Sequence, residues 1–180
     1  MTDDEMHGAF VGWLNGLLVP PVLKAYPEEP LLDTAHVVVN FVKSIEVRAH
    51  AQFVDYDNVE FGDPDPVTAT PQIETEWHFS VHAYGLSRID PATNTLRSPA
   101  PATPMDILRP LRAAAQLAQI NEPLMPGTTV HEVSAIRNVP DWVNNKWRAR
   151  AQCDIYLRGI VKDGFVIDVI EETSFLYVRI

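Results

Sequence analysis

Residues 142–158 have the sequence WVNNKWRARAQCDIYLR, and small or apolar residues alternate with polar ones from Arg148 onward. The apolar positions are Ala149, Ala151, Cys153, Ile155 and Leu157, and the polar positions are Arg148, Arg150, Gln152, Asp154, Tyr156 and Arg158. Since successive side chains of a strand point to opposite faces, this pattern predicts a strand with one buried face and one polar face. The polar face contains no catalytic grouping, so we expect it to be solvated or to contact a partner.

A second alternating stretch covers residues 73–84. Its predicted buried positions are Ile73, Thr75, Trp77, Phe79, Val81 and Ala83, and its outward positions are Glu74, Glu76, His78, Ser80, His82 and Tyr84. If the two strands pair, the glutamates and arginines of their outward faces form cross-strand ion pairs worth about 0.2–1 kcal/mol each. If they do not pair, stripes of opposite charge on one protomer suit head-to-tail contacts in a ring. Both arrangements remain open at this point.

Helices are predicted at two places. Thr2 and Glu5 have the spacing of a capping box, and apolar residues with helical periodicity follow it. Thr103 and Pro104 indicate a second helix start, with Pro110 expected to kink that helix or to delay its regular part. Further strands are predicted near residues 36–42, 129–137 and 165–172, and a short helix or turn at 140–146. The order predicts an α+β fold, a twisted and mainly antiparallel β-sheet with helices packed on one face.

The 180 residues are expected to form one domain, residues 1–180, with extended acidic loops. Residues 55–71 are acidic and contain three prolines, and residues 85–101 form a second predicted loop insertion. Residues 173–180 form a C-terminal tail that is unusually apolar for an exposed end. We therefore name four tail residues as contact candidates: Phe175, Leu176, Tyr177 and Ile180.

Composition argues against several functional classes. Lys plus Arg is 14 and Asp plus Glu is 24, so 14 − 24 gives a net charge of −10, which is unfavourable for gripping phosphates. The single cysteine excludes an internal disulfide and a cysteine-based zinc site. Glu76 and His78 lie about 7 Å apart if they share a strand face, but pairing with neighbouring arginines is the preferred interpretation. No catalytic residues, no metal ligands and no cofactor are predicted, and we expect a protein that is not an enzyme.

Trp142 and Trp147 allow two interpretations. The favoured one is that they anchor the entry of the strand against the core, and the other is an aromatic platform for a ligand. The N-terminal sequence Thr2-Asp3-Asp4-Glu5 is unlike a signal peptide, so we expect a protein of a reducing cytoplasm or of something assembled there.

The order of these pieces resembles the neck or tail terminator proteins of tailed bacteriophages. The resemblance includes the N-terminal helix, the strand at Val37-Val38-Val39-Asn40, the acidic insert, the strand that ends in Ala-Tyr-Gly at Gly85, and the helix from Met105. Its strongest piece is the strand at residues 147–154, which begins Trp-Arg-Ala-Arg-Ala, after Asp141-Trp142, followed by Val-Ile-Glu near the end. The long segments at 55–71 and 85–101 depart from the family pattern and are expected to contact neighbouring neck proteins.

The resemblance implies a structural virion protein with no catalytic residues to transfer. It implies a homo-hexameric ring that caps the tail tube and joins it to the neck connector or head completion protein, with DNA passing through the lumen without specific binding. The implied partners are therefore the tail tube protein, the connector, and a sheath protein if the tail is contractile. The implied location is the tail and neck region of the virion, and the host cytoplasm during assembly.

Ten residues are the predicted interface: Glu74, Glu76, Arg148, Arg150, Tyr156, Arg158, Phe175, Leu176, Tyr177 and Ile180. Part of the negative charge is expected to line the lumen, because repulsion keeps DNA from adhering. Two alternatives stay open. One is a head completion protein, which would also assemble as a ring. The other is a small-molecule-binding or enzymatic α+β domain with Trp77, Trp142 or Trp147 lining a pocket.

Overall fold

The computed structural model describes residues 2–25, 34–48, 50–57, 67–90, 92–121, 124, 127–143 and 146–167. The helices are α1 (Asp3–Leu17), α2 (Pro104–Ala114) and α3 (Ala118–Asn121). The strands are β1 (Val22–Lys24), β2 (His36–Glu46), β3 (Phe53–Asp57), β4 (Val67–Tyr84), β5 (Thr129–Val133), β6 (Arg137–Asn138), β7 (Asp141–Val143), β8 (Lys146–Arg148), β9 (Arg150–Lys162) and β10 (Phe165–Ile167). Within these ranges, no helix has both the length and the apolar character needed to cross a membrane.

The sheet is built around β4. Its strand order is β1-β2-β4-β9-β5, so β4 lies between β2 and β9, and β6 pairs with β9 beside β5. The β4–β9 ladder runs antiparallel from Gln72 opposite Lys162 to Tyr84 opposite Arg150. Pairing of β2 with β4 is also antiparallel, whereas β1 joins β2 in parallel. The described chain therefore confirms the predicted α+β fold with a mainly antiparallel sheet.

The core lies between one face of the sheet and the helices α1 and α2. On the sheet side, Trp77 and Phe79 are fully buried, as are Cys153, Ile155 and Leu157 of β9. The helices contribute Met6, Phe10, Leu14, Ile107, Leu108 and Leu111. The ring of Phe10 lies 4.6 Å from that of Phe79, centroid to centroid. The predicted alternation is thus confirmed in β9 from Ala151 onward. In β4 the predicted buried positions from Thr75 to Ala83 are buried, whereas Ile73 is only half-buried and Ser80, predicted to point outward, is buried as well.

Both predicted helix starts are present. The Thr2 hydroxyl accepts a hydrogen bond from the Glu5 N–H, and the Glu5 carboxylate accepts one from the Thr2 N–H, which completes the capping box. Thr103 caps α2 in the same way through the Asp106 N–H. Pro110 lies inside α2, which begins at Pro104, so of the two expected effects of this proline a later start of the helix is excluded. The buried residues on either side of it, Leu108 and Leu111, hold the helix against the sheet despite the lost backbone hydrogen bond.

Residues 55–57 and 67–71 are strand residues, although the sequence predicts a loop there. β3 pairs with the N-terminal part of β4 from Phe53 opposite Gln72 to Asp57 opposite Thr68. On the other side of β4, β10 pairs with residues 67–69. We call β3, Val67–Gln72 of β4 and β10 the arm. Pairing with a neighbouring strand fixes the extended backbone here, and local composition alone does not reveal it. Residues 58–66 lie outside the described residues.

A β-hairpin occupies the place of the predicted short helix or turn at 140–146. β7 and β8 pair with each other and set Trp142 opposite Trp147, and we call this pair of strands the Trp hairpin. The chain breaks its pairing at Ala149, which is exposed rather than buried as predicted. β9 therefore begins at Arg150, two residues later than the alternation suggests.

The described part of the second insertion, 85–101, has a loop conformation with one isolated bridge between Ile89 and Leu96. The Asp90 carboxylate accepts a hydrogen bond from the Ala92 N–H, which is typical of a turn. The strand predicted at 165–172 is present as β10 through Ile167. Residues 168–172 and the tail at 173–180 lie outside the described residues.

Replacing Phe10 with alanine is expected to lower the free energy of unfolding by about 3–5 kcal/mol, because it removes a large ring from between α1 and the sheet. Urea unfolding followed by circular dichroism measures the change. Val19→Ala is the matched control, since Val19 is fully exposed and its truncation should change stability by less than about 0.5 kcal/mol. Equal effects of the two substitutions would contradict the described core.

Candidate assembly interface

The face of the sheet opposite the helices is polar and spans β4 and β9. Their register sets Glu76 opposite Arg158, His78 opposite Tyr156 and Ser80 opposite Asp154. The polar positions predicted on the two strands therefore share one surface. This geometry brings together Glu74, Glu76, Tyr156 and Arg158 of the predicted interface.

An ion pair crosses the two strands at Glu76 and Arg158. The Arg158 Nε donates to the Glu76 Oε2 over 2.8 Å, and 35% of the arginine side chain and 15% of the glutamate side chain are exposed. Glu74 lies one position along the same face, where its carboxylate accepts a hydrogen bond from Gln52 over 2.9 Å. These contacts join neighbouring strands of one protomer, as cross-strand pairs do in a stable sheet.

Asp154 is the centre of a hydrogen-bond network that the sequence does not single out. Its carboxylate accepts from the Ser80 hydroxyl over 2.9 Å and from the Arg137 guanidinium over 2.7 Å. The Ser80 hydroxyl in turn accepts from the Gln152 amide over 2.9 Å. Since Ser80 donates to a carboxylate rather than to an imidazole, it is not arranged as an activated nucleophile. The network instead satisfies polar groups that face each other across the strands.

The His78 side chain takes part in contacts between β4 and β9. The His78 ring stacks on the Tyr156 ring at 4.4 Å between centroids, and its Nε2 lies 3.8 Å from an Asp154 carboxylate oxygen. Across the described ranges, no three His, Cys, Asp or Glu side chains are grouped closely enough to hold a metal ion. The geometry therefore assigns His78 to packing with Tyr156.

The arginines at the C-terminal end of β4 contact residues of their own protomer. Arg150 forms an ion pair with Asp141 at 2.9 Å and donates to the Val139 carbonyl oxygen over 3.1 Å. The Arg148 guanidinium lies over the Tyr84 ring, 4.5 Å from its centroid. These contacts fix the position of the Trp hairpin relative to the sheet. The four tail candidates, Phe175, Leu176, Tyr177 and Ile180, lie outside the described residues.

Large aromatic side chains are exposed at both ends of β4. Trp142 and Trp147 of the Trp hairpin are 57% and 70% exposed, and their rings meet edge to face at 5.0 Å. The prediction that they anchor the strand entry in the core is wrong, because β7 and β8 form a separate two-stranded sheet. On the arm, Phe53 and Tyr56 are 59% and 56% exposed. Clustered apolar side chains in such positions typically mark contact sites with other proteins.

Sequence reasoning missed Phe53 and Tyr56 as contact candidates. The signal that could have found them is the presence of two aromatic residues at the start of the acidic segment: Tyr56 lies within residues 55–71, predicted as a loop, and Phe53 lies just before it. An aromatic residue in a solvated loop has no core to fill, so two of them in five residues favour a contact surface.

Burial lowers the pKa of two histidines at the edge of the polar face. Desolvation is the main cause for both His36 and His82, and the nearby guanidinium groups of Arg148 and Arg150, respectively, lower the pKa values further. The His36 Nδ1 lies 2.7 Å from the Thr34 carbonyl oxygen, and its ring stacks on Tyr84 at 4.9 Å. The folded protein therefore favours the neutral form of both rings.

Replacing Arg158 with glutamate is expected to lower the free energy of unfolding by about 1 kcal/mol, because two like charges then face each other across the strands. The swapped pair Glu76→Arg with Arg158→Glu should recover most of that loss. Urea unfolding measures both, with Lys162→Glu as the control, since Lys162 faces the neutral Gln72. A swapped variant as unstable as the single variant would contradict the assigned pair.

Stability is expected to fall as the pH drops below about 6.5, the usual pKa of histidine, because the unfolded chain then binds protons before the folded chain does. The loss continues until the pH passes below the lowered pKa of the folded protein. His82→Gln should flatten the stability profile between about pH 7 and pH 5 relative to the wild-type protein. Thermal melts across this range provide the test, and identical profiles for the variant and the wild-type protein would contradict the assignment.

Comparison with known proteins assigns the chain. Residues 4–178 match the phage neck terminator protein family, which confirms the resemblance noted in the sequence. A similar solved structure is the cryo-EM structure of the sheath/tube terminator of PVC, an extracellular contractile injection system, in the extended state. The two chains share 14% identity with a TM-score of 0.50, and the match covers 100% of this chain and 64% of that chain.

The structural likeness concerns the fold, since the identity is low and the chain spans 64% of the length of that terminator. No curated protein matches the sequence. The family match extends over nearly the whole chain and places it among structural proteins of the phage tail and neck. The chain therefore belongs to the phage neck terminator protein family.

Proposed function

We propose that the protein forms a closed hexameric ring at the head-proximal end of the phage tail tube and joins the tube to the neck connector. The observation that carries the proposal is the match of residues 4–178 to the neck terminator family. One face of the ring covers the last ring of tube subunits and stops their polymerisation. The other face binds the connector or head completion protein.

The proposed partners are the tail tube protein, the connector and, in a contractile tail, the sheath protein. The fold shared with a protein described as a sheath/tube terminator supports the tube and sheath as partners. A rigid sheet whose polar groups are largely paired within the protomer suits this role. Such a sheet holds its exposed surfaces in fixed positions when neighbouring rings press on it.

DNA is proposed to pass through the lumen of the ring without specific binding. The net charge of −10 supports this, because an acidic surface repels phosphates and does not retain the duplex. Assembly of the ring takes place in the host cytoplasm, and the finished protein resides in the tail and neck of the virion. We also propose that the protein catalyses no reaction and acts only through the contacts that the ring makes with its neighbours.

Particles made without this gene product are expected to show over-long tails that lack heads, because nothing ends tube growth or joins the tube to the head. Electron microscopy of infected-cell lysates measures tail length and the fraction of tails attached to heads. Complementation with the wild-type gene is the control and should restore both values.

Two outcomes would contradict the proposal. Particles of normal length and normal attachment would show that the chain has no role in termination. Tails of normal, uniform length beside filled but tailless heads would instead assign the chain to head completion, the alternative role in which the protein also forms a ring.

A further inference from the structure

The arm presents an acidic surface with exposed aromatic side chains. Residues 53–57 and 67–72 contain Asp55 and Asp57 and no lysine or arginine, which gives a charge of −2. The register of β3 on β4 sets Phe53, Asp55 and Asp57 on the same face as Gln72, and the Gln72 amide donates to the Asp55 carboxylate. Asp57 and Phe53 are exposed on this face. The arm therefore offers one exposed aromatic ring and, four residues or about 13 Å further along the strand, one exposed carboxylate.

The opposite end of β4 has the complementary properties. Residues 141–143 and 146–150 contain Lys146, Arg148, Arg150 and Asp141, so 3 − 1 gives a charge of +2 in a chain whose net charge is −10. Beside the Trp hairpin lies a cavity of about 340 Å³. Its lining includes Gly85, Arg88, Pro104, Trp147 and Arg148. A cavity lined by an aromatic ring and two guanidinium groups suits an aromatic side chain from a strand that also carries carboxylates.

These two surfaces cannot meet within one protomer. The arm pairs with β4 near Thr70 and the Trp hairpin lies near Tyr84, and at about 3.3 Å per residue the strand separates them by roughly 45 Å. Complementary patches at opposite ends of a rigid element join different copies head to tail. Such a heterologous contact closes into a ring when its rotation fits.

We propose that, in the ring, the arm of one copy docks on the Trp hairpin of the next copy. Phe53 of the arm fills the cavity beside Trp147, and Asp57, four residues further along β3, faces the exposed guanidinium group of Arg88. The aromatic contact provides the buried anchor of the interface, while the opposite charges select the orientation of the two copies. This inference rests on the proposed ring function and names the surfaces that join its subunits.

Cysteine cross-linking in assembled particles tests the contact. The double variant Asp57→Cys with Arg88→Cys, supplied to a phage that lacks the gene, is treated with a short bismaleimide and examined on a denaturing gel. The expected result is a ladder of multimers that ends at the full ring. Wild-type protein should give none, because its one cysteine, Cys153, is fully buried. The matched control is Asp57→Cys with Gln116→Cys, whose second position lies exposed near the end of α2 and should give no ladder.

The two single-cysteine variants made together distinguish the proposed contact from other arrangements. They should give dimers and no longer species, because each copy then carries half of the contact. Intact particles without a ladder would overturn the inference while leaving the terminator function in place. So would a cross-link to a tube or connector protein, identified by mass spectrometry. Loss of the terminator function itself would appear in the gene-deletion particles and not in this experiment.

A charge swap between Asp57 and Arg88 tests the same contact if the cysteine variants do not assemble. Asp57→Arg and Arg88→Asp alone should each lower the yield of infectious particles at least tenfold. The two together should restore most of it, because the opposite charges again face each other. Equal yields for the single and combined variants would overturn the inference.

Discussion

The long antiparallel pairing of β4 with β9 determines both faces of the molecule. A slip of one residue would turn every side chain of one strand to the opposite face. In the observed register, Trp77 and Leu157 face the helices, while Glu76 and Arg158 form an ion pair on the other face. The core and the polar network therefore depend on the same set of backbone hydrogen bonds.

This arrangement explains which surfaces of the protein are available for contacts with other subunits. The centre of the polar face is occupied by its own contacts, such as those that Ser80 and Arg137 make with Asp154. The exposed aromatic residues lie instead at the two ends of β4, on the arm and on the Trp hairpin. A sheet whose central polar groups are paired and whose ends carry exposed aromatic side chains is suited to assembly into a larger structure. This agrees with membership of the phage neck terminator protein family.

The sequence predicts the central strands and both helix starts because their signals are local: strict alternation in one case and capping residues in the other. It does not predict β3, the Trp hairpin or the exposure of Ala149, since short strands are stabilised by whichever strand lies beside them. The prediction that Trp142 and Trp147 are buried in the core is wrong for a related reason. The hydrophobicity of a side chain shows that it favours burial. The tertiary arrangement decides whether another part of the same chain covers it. The Asp154 network likewise requires the cross-strand register.

A cryo-EM reconstruction of the neck of intact particles tests the terminator role most directly. The expected result is a closed ring of six copies of this α+β domain between the last ring of the tail tube and the connector, with the DNA path through its lumen. Density for the domain at another site in the particle, or a neck in which the tube meets the connector without it, would contradict the proposed function.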